Sequence, residues 1–283
     1  MVPFARTNRE PYPSFFTLNQ SAISNRRFGG IARLYGEPAL SQFSHSHICV
    51  IGVGGVGSWV VESLARSGIG QLTLIDMDHV AESNINRQIH ADDQTLGKAK
   101  IKAMAERVHL INPACRVNQI DDFISRDNAR ELLQQDYDFV VDCADNFQVK
   151  SEIVYQCRRN KMQLITVGGA GGQINPALIK VADLARTEHD PLLAKVRRQL
   201  RVHYGFSRNL KRRFDIACVY STEHLSFPGA DGTIVREKSL AVTATGLGCA
   251  GGLGSATHVT ASFAFHATGH VLKKLAQSAI NSE

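Results

Sequence analysis

The segment Gly52-Val53-Gly54-Gly55-Val56-Gly57 has the spacing G-x-G-x-x-G, in which residues without a side chain let a phosphate approach the backbone. It follows a short apolar run at 48–51 and opens a helical pattern at 54–67, the context that this motif requires. Asp76 ends the next apolar run, where a carboxylate can bind ribose hydroxyls. These residues indicate a nucleotide site, although a tight turn without a ligand or the dinucleotide site of an oxidoreductase would show the same pattern.

Charged side chains beyond Asp76 favour ATP over a dinucleotide. Arg87 and Lys100 can hold the phosphates of ATP and the charge that develops on them in adenylyl transfer, whereas hydride transfer needs no second cation. Asp145 follows a strong apolar run at 139–142, and ligands of an open parallel sheet bind at the carboxyl ends of its strands. Asp145 is therefore positioned to hold Mg²⁺. Two structural alternatives remain: Asp145 as a helix N-cap, and Arg87 and Lys100 as surface charges.

Alternating strands and helices position these residues. Strands are predicted at 48–51, 72–76, 117–120, 139–142 and 164–167, and helices at 54–67, 98–110, 126–135 and 146–160. This order indicates a parallel sheet with right-handed crossovers. After the glycine-rich turn at 168–172, further strands are predicted at 173–181 and 218–221. The predicted fold is α/β: a doubly wound, mainly parallel Rossmann-like sheet with added C-terminal antiparallel strands and a helix.

A basic segment follows the predicted sheet core. His203, Tyr204 and Phe206 are interleaved with its cations, so the segment could neutralise phosphates while an aromatic ring stacks on an unpaired base. A solvated connection is the alternative. The candidate nucleic-acid-binding residues are Lys195, Arg197, Arg198, Arg201, Arg208, Lys211, Arg212 and Arg213.

Composition fits a globular protein with a polyanionic partner. Hydrophobic residues make up 43% and charged residues 20%, and the formal net charge is +6. None of the six cysteines forms a CxxC pair, and no hydrophobic signal segment occurs near Met1, so we expect the cytoplasm. The glycine- and alanine-rich stretch 246–271 could be mistaken for a membrane span. Its interruptions, His258, His266 and His270, favour a packed helix, and no third ligand accompanies the last two for a metal.

Five ordered motifs resemble the ubiquitin-activating-enzyme-like adenylating superfamily, to which MoeB and ThiF belong. They are Gly52-x-Gly-Gly-Val-Gly-Ser58, Asp76-x-Asp78, Asn84-x-Asn-Arg-Gln88, Gly97-x-x-Lys100 and Asp142-x-x-Asp-Asn146. Further segments are similar to one branch of this superfamily, which dehydrates threonylcarbamoyladenosine in tRNA; they include residues 27–36, 168–174, 183–192 and 218–223. The resemblance implies that ATP activates the threonine carboxylate as an adenylate, on which the neighbouring carbamoyl group closes.

The resemblance also implies roles for particular residues. Those expected in catalysis are Arg87, Lys100 and Asp145, with Asp145 on Mg²⁺. Those expected to bind ATP are Gly52, Gly54, Gly55, Gly57, Asp76, Asp78, Asn84 and Gln88. A homodimer is implied, together with a cysteine desulfurase and sulfur-acceptor pair as partner. MoeB and ThiF supply an N-terminal arginine to the partner subunit's ATP; here Gly30 falls near that position, and Arg27 or Arg33 could substitute.

The implied organisation is a disordered leader at 1–24 and a single ThiF-type adenylating domain at 25–283. Within the domain we expect a nucleotide-binding core at 45–181, a basic tRNA-facing insertion at 183–215, and C-terminal strands and helix at 216–283. Cys218 could act covalently, as in ubiquitin activation, but ring closure needs no enzyme thiol, so we expect it to pack.

Three other functions stay open. A sulfur-carrier adenylyltransferase would act on a small ubiquitin-like protein and be indifferent to tRNA. An NAD-dependent oxidoreductase fits the glycine loop but leaves Arg87, Lys100 and Asp145 without a role. A non-catalytic tRNA-binding module would not require the full set of polar site residues.

Overall fold

The computed structural model describes residues 20–237 and 253–280. Residues 1–19 of the predicted leader lie outside these ranges, as do residues 246–252 of the glycine-rich stretch. Helix α1 (Gln20–Tyr35) begins before the predicted leader boundary at residue 24. The helices that follow are α2 (Glu37–His45), α3 (Gly57–Arg66), α4 (Lys100–Ile111), α5 (Ala129–Leu133), α6 (Phe147–Arg159), α7 (Pro191–His203) and α8 (Thr257–Ile280).

A seven-stranded sheet forms the centre of the described chain. Its strands are β1 (His47–Ile51), β2 (Gln71–Ile75), β3 (Arg116–Ile120), β4 (Phe139–Asp142), β5 (Leu164–Val167), β6 (Ile179–Asp183) and β7 (Ala217–Ser221), in the order β3-β2-β1-β4-β5-β7-β6. Every neighbouring pair is parallel except β6 with β7. A short antiparallel pair, β8 (Phe227–Pro228) and β9 (Ile234–Val235), lies outside it. The predicted fold class is confirmed, with β7 parallel to β5 and antiparallel to β6.

The sheet is covered on both faces, which explains why its central strands are continuous apolar runs. Ile48 and Val50 of β1 belong to one buried cluster, which includes side chains from α3, α4 and α8. Cys49 and Ile51 alternate with them and belong to a second cluster, with side chains of α5, α6 and α7. Strand β3 lies at the edge of the sheet and is largely exposed, which accounts for its weak sequence pattern.

Two segments differ from prediction. Residues 173–181 do not form one strand, because a 3₁₀ turn occupies Pro176–Leu178 and β6 begins only at Ile179. The basic segment 183–215 is also more ordered than the alternative of a solvated connection, since α7 lies within it. Leu193, Val196 and Leu200 make the buried face of that helix, which packs against α6.

Helix α8 packs against α2 and α3, with Val259, Phe263 and Val271 among its fully buried side chains. Over the two described ranges, no helix combines the length and the apolar character needed to cross a membrane.

Candidate nucleotide site

A cavity of about 790 Å³ lies at the carboxyl ends of β1, β2, β4 and β5. It is next to the point where β1 adjoins β4, from which the strand order runs in opposite directions, and open α/β sheets bind ligands there. The volume is within the range of small-molecule sites, about 300–1,000 Å³. Ten of the eleven residues predicted for catalysis or ATP binding line it: Gly52, Gly54, Gly55, Asp76, Asp78, Asn84, Arg87, Gln88, Lys100 and Asp145. Gly57 does not.

The glycines of the loop have different functions. A Cβ on Gly57 would lie 1.8 Å from the carbonyl oxygen of Gly52, so Gly57 allows α3 to begin directly against the strand end. Gly52 has a φ of +80°, which a side chain would strain. A Cβ on Gly54 or Gly55 would meet only the side chains of Gln88, Arg87 and Thr260, at 3.4 Å or more. These two positions leave backbone accessible to a ligand.

Asp76 fixes the glycine loop to the end of β2. Its Oδ2 accepts a hydrogen bond from the amide of Val53 at 2.6 Å, and its Oδ1 accepts one from the amide of Asp78 at 2.9 Å. Burial raises the pKa of Asp76, although these amides and Lys100 oppose the increase. The carboxylate is thus already oriented, and it retains acceptor capacity toward the cavity.

Two cations face the cavity with different degrees of freedom. Lys100, the first residue of α4, is buried and its Nζ lies 2.7 Å from Oδ2 of Asp78, whose side chain is 66% exposed. The Nη1 of Arg87 donates to the carbonyl oxygen of Ser83 at 2.6 Å and to Oδ1 of Asn86 at 2.9 Å. A phosphate can therefore replace Asp78 as the partner of Lys100, because water can solvate the exposed carboxylate once it is released.

The side-chain amides of Asn84 and Gln88 have different roles: the first stabilises a turn, and the second offers an acceptor to a ligand. Asn84 closes the turn before it, since its Oδ1 accepts a hydrogen bond from the amide of Ala81 at 3.1 Å. Gln88 is buried, and its Oε1 has no partner within the part of the chain that the structure describes. A buried acceptor without a partner is costly, so a hydroxyl or amino group of a ligand would stabilise this side chain.

Asp145 is exposed at the cavity, and no hydrogen bond to its side chain occurs within residues 20–237 and 253–280. The alternative of a helix N-cap is wrong, because Asn146 caps α6 and accepts from the amides of Gln148 and Val149. The strand end before it is anchored by a fully buried pair, Lys150 and Asp142, with 3.0 Å between Nζ and Oδ2. Asp145 therefore projects from a fixed position as a free carboxylate.

The basic residues fall into two groups. Lys195 lines the nucleotide cavity and is exposed. Also exposed are Arg198, Arg208, Lys211 and Arg212. Three others have structural contacts: Arg197 donates to Oγ1 of Thr187, Arg201 lies over the ring of Phe214, and Arg213 is near Asp183.

Of the three interleaved aromatic side chains, Phe206 is not available to stack on a base. Phe206 is buried, with its ring centroid 4.9 Å from that of Phe214. Tyr204 is half-buried and donates to a carboxylate oxygen of Glu152 at 2.7 Å. His203 alone of the three interleaved aromatic side chains is exposed.

Sequence reasoning did not assign a role to the far wall of the cavity. Gly168–Gly171, Gln173 and Asp190 line it. Asp190 caps α7 through the amide of Leu193 at 2.9 Å and also accepts from the amide of Gly169 at 2.8 Å. The dipeptide Asp190-Pro191 is a helix-start signal that could have located the beginning of α7.

Cys218 is fully buried in β7, and burial raises the pKa of its thiol well above the ordinary value. A thiol in this state is a poor nucleophile, in agreement with the expected packing role. Arg27 and Arg33, the two candidates for the arginine supplied to a partner subunit, are both exposed, and Arg27 donates to the carbonyl oxygen of Ile111 at 2.5 Å.

A glycine loop, an oriented carboxylate, two cations and an exposed acid meet at the carboxyl ends of the strands, which is the arrangement of a nucleotide site in a Rossmann-like sheet. The chain matches the model of the ThiF family over residues 28–278 and belongs to that family. It is 51% and 53% identical to the tRNA threonylcarbamoyladenosine dehydratases of Escherichia coli and Haemophilus influenzae, over 88% of this chain and 93% of each relative.

Solved structures of TcdA also match this chain over most of its length. TcdA (CsdL) superposes with a TM-score of 0.86 at 48% identity, covering 94% of this chain and 100% of that chain. E. coli TcdA in complex with ATP superposes with a TM-score of 0.83 at 46% identity and the same coverage. The molybdopterin-synthase adenylyltransferase of Salmonella typhimurium is 33% identical, but over only 46% of this chain and 51% of that relative.

Proposed function

We propose that this protein is an ATP-dependent tRNA threonylcarbamoyladenosine dehydratase, which cyclises that nucleoside beside the anticodon. The observation that carries the proposal is the nucleotide cavity, in which ten predicted residues converge, in a chain about half identical to dehydratases over most of its length. The adenylyltransferase relatives match less than half of the chain, so the sulfur-carrier alternative has less support.

The reaction removes one water in two balanced steps. An oxygen of the threonine carboxylate attacks the α-phosphorus of ATP, the bond to the bridging oxygen breaks, and pyrophosphate leaves. A carbamoyl nitrogen of the same substituent then attacks the activated carbonyl carbon, AMP leaves with the former carboxylate oxygen, and the nitrogen loses its proton. A hydantoin-type five-membered ring results. Because both reacting groups belong to one substituent, the second step needs no protein nucleophile.

In this proposal the residues of the cavity orient the triphosphate and stabilise its charge. The accessible backbone at Gly54 and Gly55 binds the phosphates, and Asp76 binds the ribose. Arg87 and Lys100 offset the negative charge that develops as pyrophosphate leaves. The unpaired Oε1 of Gln88 and the adjacent Asn84 position the nucleoside.

Mg²⁺ fits the donor set of this site. Within the described residues no three His, Cys, Asp or Glu side chains form a cluster that could hold a metal. Mg²⁺ commonly binds through one or two carboxylates together with substrate phosphates, and Asp145 is a free carboxylate at the cavity. Mg²⁺ would offset charge on the phosphates.

The partners follow from the same proposal. The exposed cations Arg198, Arg208, Lys211 and Arg212 and the nearby Lys195 contact the tRNA backbone, and the basic insertion 183–215 faces the tRNA. The chain is one ThiF-type domain from residue 25 onward and forms a homodimer. The exposed Arg33 reaches the second subunit's ATP, because Arg27 is engaged at the end of α4. A cysteine desulfurase and sulfur-acceptor pair is a further partner, and tRNA and ATP place the enzyme in the cytoplasm.

The direct test is mass spectrometry of nucleosides from threonylcarbamoylated tRNA after incubation with the protein and magnesium ATP. We expect a loss of one water from that adenosine, which requires ATP and is abolished by Asp145→Ala. Asp93→Ala, which removes an exposed acid that does not line the cavity, is the control and should retain activity. Absence of dehydration, with ATP–pyrophosphate exchange on adding a ubiquitin-like carrier protein, would support the sulfur-carrier function instead.

A further inference from the structure

A second cavity, of about 400 Å³, lies beside the nucleotide cavity at the beginning of α7. Asp190, Pro191 and Leu225 line both cavities, so the two share a wall. The proposed chemistry of ATP uses only the first cavity and leaves the second without a ligand.

The second cavity has a cationic and aromatic lining. Arg197 comes from α7, and Arg236 follows β9. The rings of His189 and His224 are in contact in a tilted arrangement, with centroids 4.3 Å apart and an angle of 57° between their planes. Phe227 of β8 adds an aromatic face. Guanidinium groups next to aromatic rings are the combination that binds a phosphate together with a base.

The charges of this lining are available to an anion. Asp190, which supplies the one carboxylate among the described residues of this lining, already accepts backbone amides on both oxygens. Arg236 has no hydrogen-bond or ion-pair partner among the residues that the structure describes. Burial lowers the pKa of Arg197 and Arg201 adds repulsion, which the charge of Asp190 opposes only in part, so an anion beside Arg197 would offset the remaining cost.

We propose that the second cavity binds a nucleotide of the substrate tRNA that flanks the modified adenosine. Its phosphate lies at Arg197 and Arg236, and its base packs against Phe227 and the paired imidazoles. This inference rests on the proposed function. Because the cavities share a wall, a nucleotide held here would direct the threonylcarbamoyl group of its neighbour toward ATP, which is how positioning accelerates the first step.

The test uses the full-length protein with Arg236→Glu and Phe227→Leu, and with Arg130→Glu as control. Arg130 is exposed on α5 and outside both cavities, so the control makes the same charge change elsewhere. For Arg236→Glu we expect Kd and KM for modified tRNA to rise at least about tenfold and the salt slope of binding to fall by about one. Phe227→Leu should weaken tRNA binding about fivefold or more, the least that loss of one stacked base predicts. KM for ATP should stay within about twofold of wild type, because the substitutions leave the first cavity intact.

Inorganic pyrophosphate is the other source of the same chemistry, and its inhibition constant is measured for each variant. Weaker inhibition by pyrophosphate with unchanged tRNA affinity would assign the cavity to the leaving group and overturn the inference. Unchanged tRNA affinity and salt slope in both variants would also overturn it. Direct binding separates this from failure of the proposed function, which would appear as wild-type protein that dehydrates no tRNA.

Discussion

Replacing Lys150 by methionine should destabilise the fold by about 3–5 kcal/mol, the usual cost of leaving one member of a buried ion pair unpaired. Lys150 and Asp142 are both fully buried, and Nζ also donates to Oγ1 of Thr166 at 3.2 Å. Without the ammonium group, the Asp142 carboxylate keeps the hydroxyl of Thr166 and the amide of Ala144 but loses its counter-charge.

The assay is urea denaturation, supported by thermal unfolding. At about 2 °C per kcal/mol for a chain of this size, the melting temperature should fall by about 6–10 °C. Lys98→Met is the matched control, because Lys98 pairs with Glu106 at 2.7 Å on the surface and should contribute less than about 1 kcal/mol.

A double variant, Lys150→Met with Asp142→Leu, should recover much of the loss, since apolar replacement of both partners is often close to neutral. The argument is refuted if Lys150→Met costs no more than Lys98→Met. It is also refuted if the double variant is as unstable as the two single changes added together.

Three further predictions concern single titratable groups. Cys218→Ser should retain near-normal turnover in the nucleoside assay, because the thiol is buried and burial raises its pKa; a loss of more than about a hundredfold at normal stability would restore the covalent alternative. Burial also raises the pKa of Asp76, so as pH falls this carboxylate should protonate, and KM for ATP should increase, at a higher pH than for an ordinary aspartate. Asp76→Asn should have a high KM without this pH dependence. Burial lowers the pKa of His90 to about 4. The unfolded chain therefore takes up this proton first as pH falls, and stability decreases between about pH 6.5 and 4 by up to about 1.4 kcal/mol per pH unit. His90→Gln should lack this contribution in denaturation curves measured across that range.

The sheet and the near wall of the site could be predicted because each depends on local sequence. Buried parallel strands require continuous apolar runs, so β1, β4 and β5 were located within a residue or so. The glycine loop and Asp76 could be located because each stands at the end of a predicted strand. Their predicted roles with ATP remain predictions, although the cavity brings the residues together.

The far wall could not be predicted because its parts are distant in sequence. Asp190 meets Gly169 only after the chain has passed through β6 and returned, and no local pattern encodes that contact. The charges of 183–215 also concealed the apolar stripe of α7 at Leu193, Val196 and Leu200. Periodicity locates a buried face, but not the element that covers it, so the burial of Phe206 could not be predicted from the sequence.

The loop glycines have an implication for recognising relatives that have lost activity. Gly57 is required by the contact between α3 and the strand end, so a copy released from selection for ATP use would still retain it in order to fold. A Cβ on Gly54 or Gly55 would meet neighbouring side chains only at ordinary contact distances of 3.4 Å or more, so a small side chain would fit the free protein and obstruct only the ligand. A degenerate member of the family should therefore change first at 54 and 55 while its third motif glycine persists. A glycine at 57 would then be a poorer sign of an intact enzyme than glycines at 54 and 55.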